Sequence, residues 1–528
     1  MKNKSESWTI KSISLLATAI FYFLTRLTNL TSLPIFADEA IYIRWSQIIK
    51  NVETLRFIPL TDGKQPLFMW LTVPFLSFFN DPLFAARFLS ILSGFINLIF
   101  IFLISSLIYY KPKKVNKNPL KHVFQSINHS YYYSLATSFI YIILPFALFF
   151  DRLATPDNLL SSLVLMSTFF TILQFNYYRL DISLLLGTCL GLAWLTKSPA
   201  LYFITLSCLS LVIFSFFSKS KKPLIIKLFH SLLPALIAST FYFSLKLGPQ
   251  FHMIALRNKD YVWPITEVLK HPLDPLKPHL MAVFSLYKYF VSLPIILIFL
   301  IGLFLSIKNF KKNYILVFLL SFFLIPIFAT TFLAKVFTGR YILFSLPLFV
   351  ILLSYFFTSI PPKTIKYRLI PIIFIFLSIP NIILINKIIF SPASLQLPST
   401  ETGYLNDWTS GWGIQDISLY LKDRSHTANV IVGTEGHFGS LPDGLQVYTD
   451  GTPNLTIIGL GIHLGQIPEN LIDAYNHGDE VYLLINTDRH FLDRSELSKL
   501  QVVKSYTRPD NTQLVLYQLI GNTASGAI

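Results

Sequence analysis

The chain reads as an α-helical polytopic membrane protein with a C-terminal α/β domain, and three observations predict this. Apolar residues fill 53% of its 528 positions, with Phe alone at 49 of them, and mean hydropathy is +0.57. Runs of roughly 17–25 apolar residues have the length that crosses a bilayer as helix. Charge is also divided along the chain. The net +16 splits into +24 over the first 400 residues, which hold only twelve acids, and −8 after them, where fifteen acids face seven Lys or Arg.

The excess Lys and Arg fall in short connections between apolar runs, as in PKKVNKNPLKH, SKSKKP, KNFKKN and PPKTIKYR. The basic balance is therefore a topology signal and excludes a nucleic-acid reading. About eleven spans are expected, near 9–30, 84–109, 131–150, 158–176, 182–197, 200–217, 228–247, 283–307, 314–333, 340–358 and 369–390. With the basic connections in the cytoplasm, the N-terminus is inside and the C-terminus outside, in a multi-pass plasma-membrane protein. The opening MKNKSESW and the run to Leu30 resemble a signal peptide in charge. The run is long, however, and Ala17 and Ala19 lie in its middle, so an uncleaved first helix is expected. Cys189 and Cys208 lie in apolar runs and fit neither a disulfide framework nor zinc spacing.

Residues 1–398 are expected to form the transmembrane domain, with a large first outer loop at 31–83. That loop holds two amphipathic stretches, 38–50 and 66–79, suited by Trp45, Trp70 and their Phe cluster to lie in the membrane interface. Residues 399–528 form the α/β domain. There the β-like runs NVIVGT, LTIIGLG, EVYLLIN, QVVKSYT and QLVLYQLI are interspersed with helix-like IQDISLYLKDR and DRSELSKLQ.

Candidate chemistry follows from where scarce acids lie. A carboxylate near lipid loses several kcal/mol of hydration unless it has a partner or a task. Asp38 and Glu39 open the first outer loop. They suit either a general base, taking a proton from an attacking hydroxyl or amine, or a capping pair at a helix N-terminus. Lys64, in DGKQPL, suits a lipid phosphate, or snorkels beside headgroups. In DRLATPD, Arg152 can grip a phosphate by two hydrogen bonds. Asp157 can serve the acceptor there or join a cation site. The other reading of this turn is an Asp151–Arg152 pair with Asp157 capping the next helix. Lys197 and Arg340 fall at outer helix ends. They are either anchors or, with Lys64 and Arg152, a cationic ring. His437 and His463 lie in Gly-rich turns without a second ligand at metal spacing. GTEGHFG has neither P-loop nor dinucleotide spacing.

Taken in order, several short patterns are familiar: Asp38-Glu39, then Lys64, Pro66, Leu67 and Trp70, then Arg152, Ala154 and Asp157, then Leu195 to Pro199, and last Arg340, Tyr341, Leu343 and Pro347. Over about residues 10–390 this resembles the GT-C superfamily of integral-membrane glycosyltransferases. The nearest group is the bacterial protein O-mannosyltransferase and aminoarabinose-transferase-like enzymes. The resemblance implies a polyprenyl-phosphate sugar as donor and an extracytoplasmic acceptor, whether protein, lipid or glycan. It makes Asp38 the base or acceptor-positioning carboxylate, Glu39 its neighbour, Lys64 a phosphate ligand and Asp157 the second-loop acid. Where the family usually reads Lys-Pro-Pro, Gln65 replaces the first Pro, which bears on the loop's rigidity. The C-terminal domain does not match the family's better-known appendages. Lys and Arg can neutralise a polyprenyl phosphate leaving group without a metal. A divalent ion held by Asp38, Glu39 and Asp157 stays open. A flippase for lipid-linked sugar and a non-catalytic scaffold are the alternatives. A flippase would need polar residues at mid-membrane depth, which the apolar runs almost entirely lack.

Overall fold

Apolar segments fold as helices because a helix satisfies its own backbone groups where water is absent. In the computed structural model the described residues are 2–110, 112, 115–217, 222–310, 314–358 and 370–521. The chain opens with α1 (Lys2–Leu27), β1 (Ile35–Phe36), α2 (Ala37–Asn51), α3 (Leu67–Phe78) and α4 (Pro82–Tyr109). It continues through α5 (Pro119–Ile142), α6 (Pro145–Asp151), α7 (Pro156–Tyr177), α8 (Leu180–Thr196), α9 (Ala200–Phe217) and α10 (Leu224–Phe243). Two short helices, α11 (Met253–Tyr261) and α12 (Ile265–Lys270), precede α13 (Leu273–Phe290), α14 (Leu293–Phe310), α15 (Tyr314–Leu333), α16 (Leu346–Thr358) and α17 (Ile370–Phe390).

Among the described residues six helices are long and apolar enough to span, or up to eight if each bent pair counts once. The chain is a multi-pass membrane protein. The expected spans fall on helices, but two of them are not straight. The one near 131–150 crosses a 63° bend between α5 and α6, and the one near 283–307 crosses a 113° break between α13 and α14. Pro145 begins α6 and cannot continue the hydrogen bonding of α5. At the second break Ser292 has φ +80°, and Pro294 follows. Four further apolar helices, including Leu180–Thr196 and Ala200–Phe216, are shorter. The basic segment 361–368 lies outside the described residues, as do 113–114, 218–221 and 311–313 of the other basic connections.

The residues divide into two compact units. One comprises 1–28, 57–68 and 88–386, the other 29–56, 69–87 and 387–528. In the first, α8 and α10 approach closely because small residues face large ones. A Cβ on Gly187 would come within 2.7 Å of Ile237, and one on Gly191 within 2.8 Å of Phe241. Trp194 stacks on Tyr242 with centroids 4.0 Å apart. Close backbone approach of this kind is how helices associate where lipid removes the hydrophobic drive.

The second unit holds β2 (Ser410–Gly411), α18 (Ile414–Ser425), β3 (Val430–Thr434), α19 (Leu445–Thr449), β4 (Leu455–Gly459), α20 (Glu469–Asn476), β5 (Glu480–Asn486), α21 (Arg494–Leu497), β6 (Leu500–Thr507) and β7 (Gln513–Leu519). The sheet order is β4-β3-β5-β7-β6. β3 is parallel to β4 and β5, whereas β7 is antiparallel to β5 and β6. β5 is buried on both faces, with Val481, Leu483 and Ile485 in a cluster with Leu471, Leu492 and Leu519. That explains its unbroken apolar run. β1 pairs with β2, setting Ile35 opposite Gly411, so α2 is tied to the C-terminal domain at its root.

Between β3 and α19, the half-buried Asp443 carboxylate accepts the Gly439 N–H at 2.7 Å. Burial pushes this carboxyl from 3.8 up to about 6. The folded state thus holds the proton more tightly than the unfolded chain. The stabilisation is full below about pH 4 and is lost as pH rises through about 6. Thermal unfolding of purified Asp443→Asn should therefore gain on wild type more at about pH 7.5 than at about pH 4.5. An equal difference at both values would remove Asp443 as the titrating group.

Candidate functional site

In the second unit, Asp38 and Glu39 lie in the first turn of α2, where acids favour the helix dipole. They are not equivalent. Asp38 is half-buried and Glu39 is fully enclosed. Arg87 donates to Glu39 from Nε to Oε1 at 2.8 Å and from Nη2 to Oε2 at 2.8 Å. Glu39 Oε2 also accepts the Phe36 N–H at 3.0 Å, capping the helix. The remaining Arg87 donors reach the carbonyls of Leu30, Leu33 and Pro34 at 2.9–3.0 Å. Glu39, expected beside Asp38 as a reacting carboxylate, is thus occupied in fixing the turn. Arg87 escaped the sequence reading, although an Arg a few residues into an expected span was the signal that a buried acid awaited it.

A second constellation lies wholly within the first unit. Asp157 sits in the first turn of α7 and is only 2% exposed. Its Oδ1 accepts from Lys197 Nζ at 2.6 Å, just past the end of α8. Its Oδ2 is buried without a hydrogen-bond partner among the described residues. Lys197 lies over the Tyr341 ring at 4.7 Å, and the charges of Arg340 and Lys64 act on it. Gln65 Nε2 donates to Ser198 Oγ at 2.7 Å, which fastens the Lys64 loop to the residue after Lys197. A partly buried side-chain bond thus holds the loop at Gln65. Lys64 Nζ lies 3.0 Å from the Tyr261 hydroxyl and 3.9 Å from Asp62, whose other oxygen meets Arg257 at 2.6 Å. Tyr261 and Arg257 were not singled out in the sequence.

Arg152 lies elsewhere in its hydrogen bonding. It is fully buried, and its Nη1 donates to the carbonyls of Arg26 and Thr28 at 2.8 and 2.7 Å. Asp151 pairs with Arg26 at 3.2 Å. Among the described residues no three His, Cys, Asp or Glu side chains gather as metal ligands. Both oxygens of Glu39 are engaged by Arg87.

No protein-family model matches the sequence, and neither does any curated protein. Solved structures do match the fold. ArnT from Cupriavidus metallidurans in the apo state aligns with a TM-score of 0.57 at 12% identity, over 97% of this chain and 98% of that one. ArnT bound to undecaprenyl phosphate aligns at 0.55 and 13%, over 99% of both. Archaeal oligosaccharyltransferase AglB from Archaeoglobus fulgidus, in complex with an inhibitory peptide and a dolichol-phosphate, aligns at 0.50 and 10%, over 91% of this chain and 70% of that one. The chain has the GT-C fold. The GT-C likeness to ArnT extends past residue 390 into the C-terminal α/β domain, which the short motifs had left outside.

The Glu39–Arg87 pair is testable by a double-mutant cycle on thermal unfolding in detergent. Arg87→Met alone should destabilise by about 3–5 kcal/mol, because it strands a buried carboxylate. Adding Glu39→Gln should recover part of that loss. Strictly additive effects would mean that the two side chains are not coupled.

Proposed function

We propose that this protein is a membrane glycosyltransferase that moves a sugar from a polyprenyl-phosphate carrier to an extracytoplasmic acceptor. The observation that carries this reading is the pairing of Lys197 with the buried Asp157, with Lys64 and Arg340 near enough for their charges to act on Lys197, in a GT-C fold. Two proteins of similar fold have been seen with undecaprenyl phosphate and dolichol-phosphate. Lys197 meets Asp157 and Lys64 meets Asp62, and cations so placed can stabilise the negative charge that grows on a phosphate monoester leaving group. The unsatisfied Asp157 Oδ2 gives the same cluster an acceptor for a sugar hydroxyl.

In this reading the acceptor oxygen or nitrogen attacks the anomeric carbon. The bond from that carbon to the phosphate oxygen breaks, and polyprenyl phosphate departs with the electron pair. Asp38 takes the acceptor proton, while Glu39 and Arg87 position it by fixing its helical turn. Lys64, Lys197 and Arg340 stabilise the charge that grows on the leaving phosphate. Arg152 acts by tying the connection between α6 and α7 to the end of α1. Confinement of enzyme and carrier to one membrane plane contributes the proximity.

Two measurements separate these roles. Lys64→Ala should weaken undecaprenyl phosphate binding to the purified chain by about ten- to a hundredfold, the worth of a charge-assisted hydrogen bond. Retained affinity would remove Lys64 from the phosphate site. Asp38→Asn should bind the carrier normally, yet transfer label from polyprenyl-phosphate sugar in membrane vesicles about 10²–10⁴-fold more slowly. Full turnover by that variant would exclude Asp38 as base.

A further inference from the structure

Open α/β sheets bind ligands beyond the carboxyl ends of their parallel strands. Here three loops leave β3, β4 and β5 at that end, at 435–444, 460–468 and 487–493. Bridges join Gly436 to Gly461 and Leu464 to His490, so the loops form one surface. Each sets a His beside a large apolar residue: His437 with Phe438, Ile462 with His463, and His490 with Phe491. Phe438, Ile462 and Phe491 are 62%, 50% and 69% exposed. The His463 and Phe491 rings lie 5.3 Å apart. Exposed apolar side chains converging from three loops point to a binding surface.

Charge decides what the surface takes. The three loops contain no Lys, and their one Arg is engaged below. Arg489 lies over the Trp408 ring at 4.2 Å and 3.5 Å from the buried Glu435, whose oxygens accept from Asn486 Nδ2 at 2.7 Å and Asn486 N at 3.1 Å. Asp488 is exposed. A phosphorylated ligand or an anionic lipid surface would find no Lys in these loops and an Arg already paired. A neutral sugar chain does fit, since its C–H faces lie on aromatic rings and its hydroxyls meet imidazoles, which both donate and accept.

The same surface adjoins the first turn of α2. A Cβ on Gly439 would lie 3.6 Å from Ala37 and 3.3 Å from Trp408. The Ala37 N–H donates to the Thr409 carbonyl at 2.9 Å. The loop bearing His437 and Phe438 is thus in contact with the residue that precedes Asp38.

We propose that these three strand-end loops form a subsite for a neutral oligosaccharide, the acceptor, whose end is presented to Asp38. The proposal rests on the transfer reading above and names its acceptor class.

The test uses the full-length chain in detergent, with neutral mannose, glucose and N-acetylglucosamine oligomers as probes and ligand-observed NMR as readout. At least one series should bind wild type. Phe438→Ala/Phe491→Ala should bind it about tenfold or more weakly, with thermal midpoint and undecaprenyl phosphate affinity unchanged. Phe491→Ala alone should show a smaller loss. The proposal falls if no oligomer binds wild type, or if the double variant binds as well. It also falls if the two rings instead govern attachment to phosphatidylglycerol vesicles. Failure of wild type to bind undecaprenyl phosphate would overturn the transfer reading instead, so the two failures are distinguishable.

Discussion

Charge removed from water must be compensated at once, and this chain meets that demand with very few acids. Glu39 is held by Arg87, Asp157 by Lys197 and Asp151 by Arg26, each across a long stretch of sequence. A buried pair of this kind contributes little net stability relative to apolar packing, but losing one partner is expensive. Its value lies in fixing where helix ends sit. Each pair fastens the start or end of a helix that bears a residue with proposed chemistry: α2 with Asp38, α7 with Asp157, and the connection between α6 and α7 with Arg152.

The two constellations also differ in how fully their acids are satisfied. Around Glu39, one carboxylate meets one guanidinium, and the remaining guanidinium donors end on carbonyls. That arrangement is closed. Around Asp157, one carboxylate oxygen accepts from Lys197 and the other lacks a hydrogen-bond partner among the described residues. That arrangement has an acceptor to spare. Adjacent acids in sequence, or acids in similar turns, can therefore do quite different work.

Much of the architecture was legible because it rests on local pattern. Apolar runs gave helices, period-two and unbroken β-branched runs gave β3 to β7, and the amphipathic stretches 38–50 and 66–79 became α2 and α3. Breaks inside apolar runs were less legible. Ser292 at positive φ and the Pro that opens α6 interrupt segments whose hydropathy is uniform. Within the candidate site, Lys64, Asp157, Lys197 and Arg340 could be picked out as charges in sparsely charged surroundings. Arg87 and Tyr261 could not be assigned a partner, because side-chain pairing over tens or hundreds of residues leaves no periodic trace. The role of Gln65 was hidden for the same reason, since Ser198 is 133 positions away.

The C-terminal domain is not built from C-terminal chain alone. β1 pairs with β2, Gln47 donates to the Val447 carbonyl, and Arg44 meets Asp450. A ribosome makes residues 29–87 long before it reaches residue 410. During that interval α2 has neither its strand partner nor its packing surface, and such long-range closure is slow. The early segment lacks its native partners until residues 410–450 are made. Folding of the segment at 29–56 thus waits on synthesis of the residues from about 410 to 450 that it pairs with.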